Sequence, residues 1–155
     1  AKIAHMTAQV VKMFGVDPVV AWLFYNNFGS SPFPQAKKVA QAVSYLHRLH
    51  PNLIADGPIQ SDFALNNKML GERFPFSSLN NKKVNTLIFP NLDAANITYK
   101  IIKELGKTSS IGPILMGLEN SAHILQLGAS VDEMVNMAAI AGIDAQEKLK
   151  LKSKI

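Results

Sequence analysis

The chain has 155 residues, 48% hydrophobic and 17% charged, and its 16 basic and 11 acidic residues leave a net charge of +5. That length and apolar content suit a globular body with a real core and argue against disorder. Cysteine is absent, which excludes disulfides, thiolate metal sites and a cysteine nucleophile. Lys148, Lys150, Lys152 and Lys154 carry most of the positive excess, so the charge reads as a solvated basic tail and not as a nucleic-acid-binding face. No run reaches the ~20 apolar residues that a membrane span needs, and the N-terminus lacks the charged-then-apolar pattern of a secretory signal. A cytoplasmic setting with no nucleic-acid or membrane partner is expected. The chain lacks an initiator Met and starts inside a helical pattern, as expected of a piece of a longer protein.

In chain order, Ile3, Met6, Val10, Val11 and Phe14 recur at helical steps, and Gly15 is placed to end that helix. Val19 to Phe24 is a continuous apolar run, as in a strand covered on both faces. A loop rich in Asn, Gly, Ser and Pro runs from Asn26 to Pro34. Val39, Ala42, Val43, Leu46 and Leu49 share a face of a helix over 35–50, stopped by Pro51. A short strand over 53–55 precedes the turn signal Asp56-Gly57-Pro58. Residues 61–70 are weakly helical and 71–83 irregular. Val84 to Phe89 reads as a third strand, and Asn91 is placed to cap a helix over 92–105 that Gly106 stops. A fourth strand is expected at 112–116, a loop at 117–129 and a last helix from Ser130 to Gln146.

Strands alternating with helices predict an α/β domain with a parallel sheet. Right-handed crossovers then gather the loops 26–34, 56–60, 90–92 and 117–129 at one sheet edge, where ligands of open α/β sheets bind. In the first loop, Asn27, Gly29 and Ser30 either present backbone N–H groups to a phosphate or simply make a turn. Ser130 and Glu133 have the S-x-x-E spacing of a capping box, and Glu133 is also placed for acid–base chemistry. Asp56, Asp62 and Asp93 are turn and cap residues first and catalytic candidates second. His47 and His50, near a helix C-terminus, suit its dipole better than a metal site, and no metal site is expected. There is no P-loop and no G-x-G-x-x-G fingerprint.

Several runs carry a family resemblance. Asp56-Gly57-Pro58-Ile59-Gln60-Ser61-Asp62 resembles the D-G-x-x-Q-x-D signature of phosphotransacetylases, and the runs Leu87 to Leu92, Asn96 to Lys100 and Ile111 to Ile114 are similar to theirs. The resemblance spans Ala1 to about Gln146 and implies a three-layer α/β/α parallel sheet of the isocitrate/isopropylmalate dehydrogenase-like type. It also implies that the chain is the C-terminal half of a two-domain unit in which CoA and acetyl phosphate meet in the cleft between the domains. Residues 1–113 would belong to the second domain, and residues 114–155 would return to the first. Asn27-Phe28-Gly29-Ser30, Pro75-Phe76-Ser77, Leu125-Gln126-Leu127-Gly128 and Val135-Asn136-Met137 more closely resemble the phosphotransacetylase-like C-terminal region of hybrid NADP-dependent malic enzymes.

In phosphotransacetylases the loop before the last helix carries a Ser-Arg pair that binds and polarises the reacting groups. Aligned on Gly128, those positions are Gln126 and Leu127, and the family's essential Asp falls at Glu133. The resemblance therefore implies acetyl-CoA as a regulatory ligand with little or no acetyl transfer, so no catalytic residue is assigned. The ligand-binding candidates are Asn27, Gly29, Ser30, Gln126, Gly128 and Ser130. It further implies homo-oligomerisation and an upstream malic enzyme domain that would hold NADP and a divalent metal. This region itself would carry no cofactor. The other readings are an active phosphate acetyltransferase and an oligomerisation module alone.

Overall fold

The computed structural model describes residues 1–107 and 109–153. It divides into two compact units, Ala1–Thr98 and Tyr99–Ile155.

The first unit is built around β1 (Val19–Leu23), every residue of which is buried. It is the middle strand of a three-stranded sheet, parallel both to β2 (Ile54–Ile59) and to β3 (Thr86–Ile88). Because strand side chains alternate, Val20 and Trp22 face one core with Ala4, Val43, Leu46, Ala55 and Ile88. Val19, Ala21 and Leu23 face a second core with Ile59, Ala64, Leu70 and Leu79. The first core is closed by α1 (Lys2–Met13) and α2 (Pro34–Leu49). The second is closed by α3 (Ser61–Leu65), α4 (Asn67–Arg73) and the segment that seats Leu79. This is the α/β, parallel-sheet architecture the alternating pattern predicts.

Local chemistry sets the element ends. Gly15 follows α1 at φ +72°, a backbone shape glycine adopts without a Cβ penalty. α2 starts at Pro34, whose fixed φ suits a first helical position. The weak helix predicted over 61–70 is two short ones, split where the Asn66 side chain accepts from the Met69 N–H (3.1 Å). The Asn91 side chain accepts from the Ala94 N–H (2.8 Å) at the start of α5 (Leu92–Gly106). α5 has no buried residue, and Leu92, Ile97, Ile101, Ile102 and Leu105 are exposed.

Two expectations are corrected within these elements. The second strand does not end at Ala55 but continues through Asp56-Gly57-Pro58 to Ile59. Phe24 N–H donates to Ile59 O (2.9 Å) and Phe28 N–H to Pro58 O (2.7 Å), which carry the pairing past the register shift between Ala21 and Leu23. The third strand is shorter than 84–89.

In the second unit, residues 112–116 form no strand, against expectation. An apolar run becomes a strand only where another strand takes up its N–H and C=O groups. The only sheet among the described residues is β2-β1-β3, so the loop over 117–129 does not follow a strand. The last helix, α6 (Val131–Lys152), runs past Gln146 and takes in most of the basic tail. There Lys148 pairs with Asp144 (2.7 Å), Lys150 with Glu147 (2.7 Å) and Lys152 with Glu119 (3.6 Å). Lys154 lies outside the described residues. No helix among the described residues is long and apolar enough to cross a membrane.

Candidate ligand-binding site

At the carboxyl end of the sheet, the loops after β1 and β2 are stitched into one piece. The Asn27 amide donates to Gln60 Oε1 (2.7 Å), and Asn27 Oδ1 accepts from the Gln60 N–H (2.8 Å). Gln60 Nε2 in turn donates to Tyr25 O (2.9 Å). Within the first loop, Ser30 N–H donates to Asn27 O (3.0 Å), and Ser30 Oγ accepts from the Asn27 N–H (3.3 Å). Gly29 sits at φ +85°, which only glycine adopts readily. Asn27, Gly29 and Ser30 thus form one tight turn, and the Asn27 side chain is fully engaged in holding it.

Its neighbour differs. Asn26 is 5% exposed, and neither its amide nitrogen nor its oxygen has a hydrogen-bond partner in the chain. A buried amide without partners carries a desolvation penalty of about 1–3 kcal/mol, so Asn26 is the residue of this loop whose donor and acceptor the chain itself leaves unpaired. Sequence reasoning selected Asn27, and two adjacent asparagines carry no signal that tells them apart.

Asp56 bonds to a different segment. Its Oδ1 accepts from the Gly57 N–H (2.9 Å), and its Oδ2 accepts from Ser77 Oγ (2.8 Å) and the Ser78 N–H (2.9 Å). Ser78 Oγ adds a bond to Ala55 O (2.9 Å). The segment held in this way carries Phe74 and Phe76, whose rings lie 5.0 Å from Phe28, Phe74 tilted against it and Phe76 edge-on. Phe28, Phe74 and an exposed Phe76 therefore give the sheet edge an aromatic rim. Gly57 is required by a close approach: a Cβ there would lie 2.7 Å from Trp22 O, at φ +141°. Asp62 accepts from the Phe63 N–H (2.9 Å) in the first turn of α3. All three polar residues of the D-G-x-x-Q-x-D run are accounted for by hydrogen bonds that shape loops.

In the second unit, Gln126, Leu127, Gly128 and Ala129 form a turn closed by Ala129 N–H to Gln126 O (3.1 Å), with Gly128 at φ +86°. Leu127 is fully exposed at its tip. The turn delivers the chain to the capping box expected from its spacing. Ser130 Oγ accepts from the Glu133 N–H (3.2 Å), and Glu133 Oε2 accepts from the Ser130 N–H (2.8 Å). Glu133 also pairs with Lys103 (3.3 Å). The Ser130 backbone bond and then Lys103 hold the Glu133 carboxyl below its ordinary value, which makes it a weaker base. Gln126, Gly128 and Ser130 are thus neighbours in one turn, as Asn27, Gly29 and Ser30 are in another, and the two turns lie in different compact units. Among the described residues, no group of three or more His, Asp or Glu side chains could hold a metal ion.

Residues 1–142 match the family model of the phosphate acetyl/butaryl transferases. The chain belongs to that family. A phosphotransacetylase from Streptococcus pyogenes superposes with a TM-score of 0.83 at 35% identity, covering 94% of this chain and 44% of that one. An NADP-dependent malic enzyme of Haemophilus influenzae is 38% identical over 148 residues, 96% of this chain and 19% of that protein. A phosphate acetyltransferase of Buchnera aphidicola from Schizaphis graminum is 37% identical over 145 residues, 94% of this chain and 20% of that one. The chain thus spans about a fifth of the length of these two curated relatives. Relatives named phosphate acetyltransferase and relatives named malic enzyme match this chain almost equally.

Proposed function

We propose that this chain is the C-terminal phosphotransacetylase-like region of an NADP-dependent malic enzyme, where it binds acetyl-CoA as an allosteric effector with little or no acetyl transfer. The observation that carries this reading is Leu127, fully exposed at the tip of the turn where a phosphotransacetylase is expected to hold its arginine. Moving an acetyl group between phosphate and CoA builds negative charge on the phosphate and on a tetrahedral oxyanion. A guanidinium meets that charge with two parallel donors, whereas leucine has neither charge nor donor. Losing one such stabilising donor costs on the order of 100-fold to 1000-fold in rate.

Glu133 compounds the loss, because its carboxylate is engaged by Ser130 and Lys103 and held low in pKa. Recognition of the nucleotide and pantetheine arms does not require either group. The rim of Phe28, Phe74 and Phe76 supplies apolar contacts suited to such a ligand, and the unpartnered amide of Asn26 would gain partners if the loop opened around it. Asn27, Gly29 and Ser30 act by shaping the Asn26 loop, and Gln126, Gly128 and Ser130 by shaping the Leu127 turn. In this reading residues 114–155 belong to the first domain of the two-domain unit and residues 1–113 to the second. NADP and a divalent metal belong to an upstream malic enzyme domain. The exposed apolar side chains of α5 support homo-oligomeric assembly.

A second reading, a working phosphate acetyltransferase, is favoured by the relatives that carry that name. The full-length protein separates the two. We expect acetyl-CoA to bind and to inhibit malate decarboxylation, and CoA-dependent acetyl phosphate formation to be near background. Robust acetyl phosphate turnover would sink the regulatory reading. Binding without turnover would sink the transferase, and no binding at all would leave an oligomerisation module. Leu127→Arg returns a cation to the turn and is expected to strengthen binding of acetyl phosphate.

A further inference from the structure

The turn that presents Gln126 and Leu127 is approached through a buried polar cluster that the reading above leaves unused. The His123 side chain is only 3% exposed, and its Nε2 lies 3.5 Å from Asp144 Oδ2 on α6. Neither ring nitrogen has a hydrogen-bond partner in the chain. Lys148, one turn further along α6, bridges the same carboxylate (2.7 Å) to the carbonyl of Asn120 (3.2 Å). Ser121 Oγ donates to Ala141 O (2.9 Å), and Lys152 Nζ reaches Asn120 Oδ1 (3.2 Å). Residues 120–123 are therefore tied at successive points along one side of α6.

Apolar packing does not account for this arrangement. An isosteric apolar side chain would fill the space of His123 without burying two unpaired nitrogens, and buried polar groups persist where they fix a geometry. Burial raises the Asp144 carboxyl, yet its bond to Lys148, with further help from Ser121, the Lys148 charge and the nearby His123, outweighs that and holds it below its ordinary value. The carboxylate is thus kept charged between two basic side chains.

We propose that His123 is a positioning residue: acting through Asp144 and Lys148, it locks residues 118–125 onto α6 and so sets how the following turn presents Gln126 and Leu127. What that turn contacts rests on the acetyl-CoA reading, whereas the lock itself does not. The test compares the full-length protein with His123→Ala and His123→Gln, the latter placing an amide nitrogen where Nε2 faces Asp144. Two quantities are measured: amide hydrogen exchange of residues 118–130 without ligand, and the Kd for acetyl-CoA. We expect His123→Ala to speed exchange in that segment at least ~10-fold while the first unit is unaffected, and to weaken acetyl-CoA by about the same factor. His123→Gln is expected to restore both. Unchanged exchange in His123→Ala overturns the lock. Faster exchange that His123→Gln fails to rescue also overturns it, because shape and not polar pairing would then hold the segment. If exchange responds and is rescued but the parent protein binds no acetyl-CoA, the lock stands and the ligand reading falls.

Discussion

Replacing Asp56 by Asn tests whether the signature aspartate shapes the loops or acts on a ligand. The native carboxylate takes three donors on two oxygens: Gly57 N–H, Ser77 Oγ–H and Ser78 N–H. An asparagine of the same shape keeps one acceptor oxygen and turns an NH2 group toward donors on the other side. At least one charge-assisted hydrogen bond is lost and the others weaken, where each is worth roughly 1.5–3 kcal/mol at full burial. Asp56 is only half-buried, so solvent reduces the total, and the expected loss is about 2–4 kcal/mol. The damage reaches the core, because the released segment seats the fully buried Leu79, whose N–H lies 3.3 Å from Ser77 Oγ. Urea unfolding measures the loss as a lower midpoint at unchanged slope, and for a chain this long it corresponds to a fall in Tm of roughly 5–15 °C. Ser77→Ala should cost about 1 kcal/mol, and the double variant less than the two single losses combined. Acetyl-CoA affinity should weaken in step with the loss of stability and not vanish, because the released segment carries Phe74 and Phe76. If Asp56→Asn leaves stability within about 0.5 kcal/mol of the parent but abolishes acetyl-CoA binding, Asp56 acts on the ligand and the loop-clamp argument is wrong.

Three further outcomes follow from the same geometry. Gly57→Ala places a Cβ 2.7 Å from Trp22 O at φ +141°, and should destabilise by about 2–5 kcal/mol in urea unfolding, combining backbone strain with overpacking. Asn27→Ala frees the Gln60 N–H and side chain; we expect a loss of about 2 kcal/mol and faster amide exchange at Gln60 and Phe28. His5 stacks on His50 at 3.7 Å, and burial, then His50, then Lys12 depress its pKa from 6.5. The unfolded chain therefore takes up this proton first, so the stability His5 contributes is complete above pH 6.5 and is lost as pH falls below that value toward its folded pKa. His5→Gln should flatten the unfolding midpoint across that window, and an unaltered pH profile would refute the assignment.

How much of this was legible in the residues depends on what each feature needs. β1 was readable because its five apolar residues answer to two cores at once, a demand that leaves no polar position. The run over 112–116 is apolar too, but it opens on Gly112-Pro113, where proline has no N–H to give a ladder, and a strand is a property of a pair, whose partner composition does not report. Asp56-Gly57-Pro58 carries strong turn chemistry, yet the backbone runs extended through it because glycine is what lets the chain pass against Trp22. The capping box was legible because its two residues sit in one local frame. The lysines of the tail were read as solvated, although Asp144 and Lys148 already stood four apart, the spacing at which helical side chains meet. In the candidate site, the loops could be located from topology, but the roles within them could not. Whether Asn26 or Asn27 is left unpaired depends on Gln60, more than thirty residues away.

A loop can outlive the chemistry it once served because its two demands fall on different atoms. The fold asks the turns for backbone shape, met by Gly29 and Gly128 at positive φ and by the side chains of Asn27, Gln60, Asp56 and Ser130. On the proposed reading, catalysis would ask for charge at the tip of the Leu127 turn, where the side chain is fully exposed. Leu127 is fully exposed, so exchanging it for another residue leaves the turn, the capping box and the helix behind it intact. Transition-state stabilisation is lost by such a change, whereas ground-state binding through other contacts is not. On the proposed reading, that separation is how a site shaped for acetyl transfer can become a sensor of acetyl-CoA without any change of fold.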